Sequence, residues 1–325
     1  MLQEMEYVYA VYKEGSISRA AERMFISQPA LSMALKRAEA KIGAALFDRS
    51  LQPMKLTSAG EIYIQKCCEI KLLEQEMKSQ LNDLYELRKG SLTLGGTHFI
   101  LSYILAPALS EFSGKYPYIS LKVLECHSKQ SETLLLDGII DVYLRCSECS
   151  PGLERIAYGF SDYVLIAVPK KYISQYSLPK GYLTQSMVQK NLHLEQCPSV
   201  DFRLISHIPF LRLTDENNLG GRLRDLFKQH EAEPNIKMVV EQLTTSYYLA
   251  ENGIGSTLAS SLLIKNIASK NLIFYKIDSP LMVRHFHFVG RRRGYVSRAC
   301  KEFIKILQTL PPKSPECENG LLEGS

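Results

Sequence analysis

Residues 15–43 leave this chain few ways to fold. Met5, Tyr9 and Tyr12 recur at helical spacing up to Gly15, a natural helix stop. Ser16 is placed to cap a short second helix over residues 17–24, with Ala20 and Ala21 as its small packing face. Ser27 is placed to cap a third over residues 28–42, with Pro29 in its first turn and Gly43 as its stop. Two helices separated by a turn of a few residues, with an Ala-Ala seam between them, make a helix-turn-helix.

The next stretch predicts a small β-wing. Leu46-Phe47 is apolar, residues 49–55 are polar and contain Pro53, and Leu56-Thr57 leads into Ser58-Ala59-Gly60, a new helix start. Residues 58–88 then read as one long helix ended by Gly90. Tyr63, Cys67, Ile70, Leu73, Met77, Leu81 and Leu84 follow a spacing close to the 3.5 average of a two-helix seam, and charged residues fill the other face. A dimerisation helix is therefore expected, against the simpler alternative of a helix packed on its own domain.

Residues 91–310 alternate strand-like runs (91–94, 119–125, 140–144, 163–168, 210–213, 236–241, 272–277, 285–289) with helix-like runs (100–113, 132–136, 221–230, 243–251, 261–269, 295–308). Such alternation predicts α/β layers with mainly parallel sheets, and eight strands suit two small lobes better than one sheet. The expected division is 1–58, 59–89 and 90–310, with lobes at about 90–161 plus 268–310 and 162–267. Residues 311–325 lack periodicity and read as a flexible tail.

The first sixty residues carry a family pattern in order: Gly15-Ser16, Ala20-Ala21, Ser27 to Ala30 with Ser32, Glu39 with Gly43, Leu46-Phe47 with Arg49, and Leu56-Thr57 with Gly60. This resembles the winged helix-turn-helix of LysR-type transcriptional regulators. The resemblance extends less specifically to Asp137-Gly138 with Asp141 and to Asn252-Gly253-Ile254-Gly255. It implies an N-terminal all-α winged helix-turn-helix, a long linker helix and a C-terminal two-lobed α/β domain of periplasmic-binding-protein type. It also implies double-stranded promoter or operator DNA as partner, a small-molecule effector between the lobes, and self-association as a dimer or a homotetramer. RNA polymerase stays open as a further partner.

In such a unit the third helix presents its N-terminal residues to base edges in the major groove. Gln28 can bond an adenine edge bidentately, Pro29 can touch a thymine methyl, and Ser32 and Lys36 follow on the same face. Ser16, Ser18, Ser27 and Arg49 suit phosphates, and Lys55 on the wing suits a groove. Met33 stands where the family often has a polar or basic residue, and Gln52 replaces a frequent wing arginine. Both change the expected base preference and leave the DNA-binding role intact.

For the effector, Thr97, His98 and Phe99 follow the first strand and precede a helix, where free N–H groups and the helix dipole favour an anion. Arg145 ends the 140–144 run, and Arg212, Gln242 and Thr244 match cleft-facing positions of the second lobe. Two arginines tilt the expectation toward an acidic effector.

Other classes fit poorly. No Gly-rich phosphate loop, H-E-x-x-H or G-x-S-x-G motif is present, so neither an enzyme nor a bound cofactor is expected. The seven His do not cluster at metal spacing, and no metal site is expected. Residues 90–110 lack charge but are broken by Gly95, Gly96 and Pro107, so a membrane span is not expected. The N-terminus lacks a basic segment followed by an apolar core, so a cytoplasmic protein is expected. The eight cysteines are then expected as free thiols. The alternative is a redox-sensing regulator switching through Cys197 or the pair Cys146 and Cys149. The net charge of +5 is uninformative as a total, but residues 16–60 hold seven Lys or Arg against three acids.

Overall fold

The computed structural model describes residues 2–310 apart from Gln52, Glu86 and Gln196. The expected tail over 311–325 and the wing position Gln52 lie outside the described residues. The chain divides into two compact units, 1–79 and 80–325.

The first unit is built on three helices, α1 (Leu2–Glu14), α2 (Ile17–Arg23) and α3 (Gln28–Ile42), with a two-stranded wing of β1 (Phe47–Asp48) and β2 (Lys55–Leu56). The Ser16 side chain accepts from Arg19 N–H at the start of α2, and Ser27 from Ala30 N–H at the start of α3. Gly43 closes α3 at φ 78°, a left-handed conformation that costs glycine little. Val8, Val11, Ala20, Ala21, Leu31, Leu35, Ala38, Leu46, Phe47 and Ile64 form one core. A β-carbon on Gly60 would stand 2.0 Å from the Leu46 carbonyl oxygen. Thr57 Oγ1 donates to the Ala45 carbonyl at 2.6 Å and accepts from Gly60 N–H at 3.0 Å. The Leu-Thr-x-x-Gly block is therefore a locking point between wing and helix.

The helix after the wing, α4 (Ser58–Asp83), is shorter than the expected 58–88. Turns follow it, and Leu87 adopts φ 64°. Its apolar row divides in two. Cys67 is buried and Tyr63 and Ile70 are half-buried, whereas Leu73, Met77 and Leu81 are 64%, 53% and 52% exposed.

The second unit is α/β, and its sheet is mixed rather than mainly parallel. Its strands are β3 (Gly90–Gly96), β4 (Ile119–Glu125), β5 (Val142–Arg145), β6 (Leu153–Pro169), β7 (Phe210–Leu213), β8 (Ile236–Val240), β9 (Thr257–Ser260), β10 (Leu272–Tyr275) and β11 (Val283–Arg291). Seven of them form one sheet in the order β10-β6-β11-β5-β3-β4, with β9 also on β6. β3 is parallel to both neighbours, but β11 runs antiparallel to β5 and β6, and β9 and β10 antiparallel to β6. β7 and β8 make a separate parallel pair.

Strand β6 explains the lobes. Its first part, up to Tyr163, pairs with β11, and from Val164 onward it pairs with β9 and β10. One 17-residue strand thus runs from one strand group into the other. The sequence showed only its 163–168 part because Val164 to Val168 are all buried, a run that reads as a strand covered on both faces. The half before it mixes buried, half-buried and exposed positions without a clean alternation. The run 100–113 contains a π-type turn, Ile100–Leu105, before the α-helix Ala106–Lys115. Pro107, which has no N–H, stands just after the change of pitch.

Candidate functional site

Two sites take shape, one in each unit. In the first, α3 buries Leu31, Ala34, Leu35 and Ala38 and turns its other face outward. Gln28, Pro29, Met33 and Lys36 are exposed and Ser32 is half-buried, so one surface holds them all. Met33 is 58% exposed, which leaves an uncommitted thioether there. Ser18 and Lys55 are exposed as well.

The charge near this face is thinner than the count of seven suggests. Arg23 pairs with Glu14, Lys41 with Glu4 and Arg49 with Glu39. Arg49 Nη2 stands 2.8 Å from Glu39 Oε2, whose other oxygen accepts from Leu46 N–H, so this arginine also ties α3 to the wing. Lys36, Arg37 and Lys55 make no ion pair among the described residues. They are the cations most readily offered to phosphates.

The second unit contains a cavity of about 260 Å³. Of the expected effector contacts, Thr97, His98, Phe99, Arg145 and Gln242 are on its wall. Arg212 and Thr244 are not: Arg212 lies on β7 with Nη1 2.9 Å from Asp215 Oδ1, and Thr244 lies one residue beyond the lining Leu243. Helix starts converge on this cavity. Asn217 and Asn218 open the helix Asn218–Gln229, Gln242 opens Leu243–Glu251, and His127 opens Ser128–Leu136. Unmatched N–H groups and the positive ends of the dipoles are therefore gathered at one place.

The guanidinium groups of the wall already have carboxylate partners. Arg145 pairs with Glu132 and donates through Nε to Ser147 Oγ at 2.7 Å and through Nη1 to Tyr143 Oη at 2.9 Å. Arg284, 4% exposed, donates through Nε to Asp162 Oδ2 at 2.9 Å and again through Nη2. Asp162 is fully buried and also accepts from Ser260 Oγ at 2.7 Å. Burial lowers the pKa of nearby Arg222, which donates to the carbonyls of Leu281 and Val283. Sequence reading missed Arg284, because only the register Arg284 opposite Asp162 across β11 and β6 brings it here. It also missed Glu125, Glu216, Glu241 and the Asn217-Asn218 pair. The asparagines had a usable signal, a capping residue before an amphipathic run.

The seven described cysteines are free thiols. Burial is the main cause raising Cys146 and Cys197 above the ordinary thiol pKa, which lowers the thiolate fraction that redox chemistry needs. No helix follows Cys146 and Cys149 directly: they sit between β5 and β6. Among the described residues no group of three or more His, Cys, Asp or Glu is placed to hold a metal ion, and no helix is long and apolar enough to cross a membrane.

Comparison with known proteins bears on both units. The profile of the bacterial regulatory helix-turn-helix proteins of the lysR family matches residues 2–61, and that of the LysR substrate binding domain matches residues 86–311. An uncharacterised HTH-type transcriptional regulator, YcgK of Bacillus subtilis (strain 168), is 24% identical over 307 residues, covering 94% of this chain and 93% of that protein. A probable RuBisCO transcriptional regulator of Trieres chinensis is 24% identical over 316 residues, covering 95% and 96%. Full-length CbnR in complex with its target DNA superposes with a TM-score of 0.60 at 19% identity, covering 95% of this chain and 99% of that one. A full-length OxyR variant from Pseudomonas aeruginosa gives 0.64 at 18% identity, covering 95% and 93%. With both units matched by the two domain profiles of one family, the chain belongs to the LysR-type transcriptional regulators.

Proposed function

We propose that this regulator binds double-stranded DNA through α3, inserted N-terminus first into the major groove, and that a small effector in the second unit's cavity modulates that binding. The observation that carries the reading is the outward face of α3, with Gln28, Pro29, Ser32, Met33 and Lys36 free of the core that its opposite face builds. Gln28 supplies the bidentate base contact, Met33 and Pro29 apolar contacts, and Lys36 and Lys55 phosphate contacts. Ser16, Ser18 and Ser27 stand at or near helix starts, where their hydroxyls reach phosphates once the helices dock; Arg49 keeps its other nitrogens for the same use. Thr97, His98, Phe99, Arg145 and Gln242 form the effector wall.

The bare lower half of the α4 row supports self-association, since Leu73, Met77 and Leu81 repeat at a seam spacing and stay exposed. Two such units joined would place two copies of α3 on one DNA; the likeness to CbnR, solved in complex with its target DNA, supports DNA as the partner. The effector acts by differential affinity for two arrangements of the lobes along β6.

The test is selection of bound sequences from a random DNA library, for the protein and for Gln28→Ala. The variant should lose about 1–3 kcal/mol of discrimination at one base pair in each half-site and keep the rest. An unchanged base preference would mean that α3 does not read bases through its N-terminus.

A further inference from the structure

The effector cavity carries two opposed chemistries, and together they define a class of ligand. One is cationic. Arg284 is almost wholly buried, holds Asp162 with two nitrogens, and has no protein acceptor for Nη1 among the described residues. Beside it, the nine-residue helices Ser128–Leu136 and Leu243–Glu251 begin with no side-chain cap, so their first amides remain unmatched donors. A carboxylate suits these groups.

The other chemistry is anionic. Glu125, Glu216 and Glu241 line the same cavity and are exposed. Glu216 and Glu241 stand two residues, and Glu125 three, before a helix that starts at the cavity, so the same three helices fix all three. Glu216 and Glu241 make no ion pair among the described residues. Glu125 Oε2 stands 3.5 Å from Nδ1 of the His98 imidazole. The two wall arginines cannot neutralise this set, because Glu132 and Asp162 already hold them. A simple dicarboxylate would bring its second charge among three carboxylates.

We propose that the cavity takes a zwitterion of α-amino acid type, its carboxylate at the helix starts and Arg284, its ammonium among Glu125, Glu216 and Glu241. A volume of about 260 Å³ lies below that of sites for drug-sized ligands and suits a small metabolite. The proposal rests on the reading of this cavity as the effector site, and it replaces a simple acidic effector with one carrying both charges.

Isothermal titration of the full chain tests it, using the twenty common L-amino acids, the des-amino counterpart of each, and malonate and succinate. At least one amino acid should bind about tenfold tighter than its des-amino counterpart. Joint substitution Glu125→Gln, Glu216→Gln and Glu241→Gln should bring that ratio to within about threefold. All three side chains are exposed, so the fold tolerates the change; Glu241→Gln alone gives a second, milder reading. The proposal fails if a des-amino acid or dicarboxylate binds as tightly as the best amino acid. It also fails if the triple variant keeps the ratio, or if no amino acid binds by about 10 mM. Thr97→Val and Gln242→Leu separate the two layers. If they weaken every ligand while no amine preference exists, the cavity stands and the zwitterion falls. If neither affects an amino acid that does bind, the cavity reading itself is wrong.

Discussion

The pair Asp162–Arg284 allows the sharpest stability prediction. Asp162 is fully buried and Arg284 is 4% exposed, on adjacent strands at the point where β6 leaves β11 for β9 and β10. Asp162→Ala removes the acceptor of two guanidinium bonds and leaves the cation in place. Ser260 Oγ loses a partner at 2.7 Å but still accepts from Leu262 and Leu263 N–H, so its share of the loss is small. Breaking a buried pair in this way costs about 3–5 kcal/mol. For a unit of this size the transition should fall by roughly 6–20 °C, at about 2–4 °C per kcal/mol. The chain has no Trp, so circular dichroism is the suitable probe. The double variant Asp162→Leu with Arg284→Met removes both charges and should recover at least half of the lost stability, because an apolar pair of similar volume needs no desolvated ion. A loss below about 1 kcal/mol for Asp162→Ala, or a double variant no better than the single, would refute the account of a matched charge pair at the strand crossing.

Two other outcomes follow from particular residues. Leu73→Glu with Met77→Glu should abolish self-association in sedimentation experiments while leaving helix content unchanged; an unaltered mass would remove α4 from the interface. His193 is 2% exposed, has no hydrogen-bond partner for Nδ1 among the described residues, and its pKa is driven by burial down to about 4. Its folded pKa lies below the unfolded value, so the unfolded state takes up the proton first as pH falls. The stabilising contribution is present above about pH 6.5 and should fall by about 2 kcal/mol by pH 5, with the rest lost as pH approaches 4. Denaturant unfolding at pH 7.5 and pH 5 measures it, and His193→Asn should flatten the difference; an equal slope in both proteins would place the proton uptake elsewhere.

The DNA-reading unit was largely legible in the sequence. Its caps and its Ala-Ala seam are local, and rules of sterics and hydrogen bonding determine them within a few residues; the approach of Gly60 to the Leu46 carbonyl emerges only in the fold. The exposed face of α3 followed from helical periodicity alone. The long helix was legible too, but not its end: no strong breaker marks Asp83, whose carboxylate accepts from Tyr295 Oη at 2.6 Å and from Arg298 N–H at 2.7 Å, bonds to residues far along the chain.

The second unit was read less completely, for reasons of register and sheet direction. Alternation located most strands, yet parallel or antiparallel pairing depends on which distant strand becomes a neighbour, and β11 enters between β5 and β6 from far along the chain. Thr97, His98, Phe99 and Arg145 were placed on the cavity wall because strand ends and helix starts are visible in one dimension, and Gln242 through the family resemblance. Arg284, Asp162 and the three glutamates were not, since nothing local distinguishes them from other charged residues. By itself the sequence determined the helix-turn-helix and the α/β class, because each follows from local periodicity and capping. Only the tertiary structure decided where the charges of the cavity stand, because residues as far apart as Thr97 and Phe286 meet there and burial then decides which charges must pair and which remain open to a ligand.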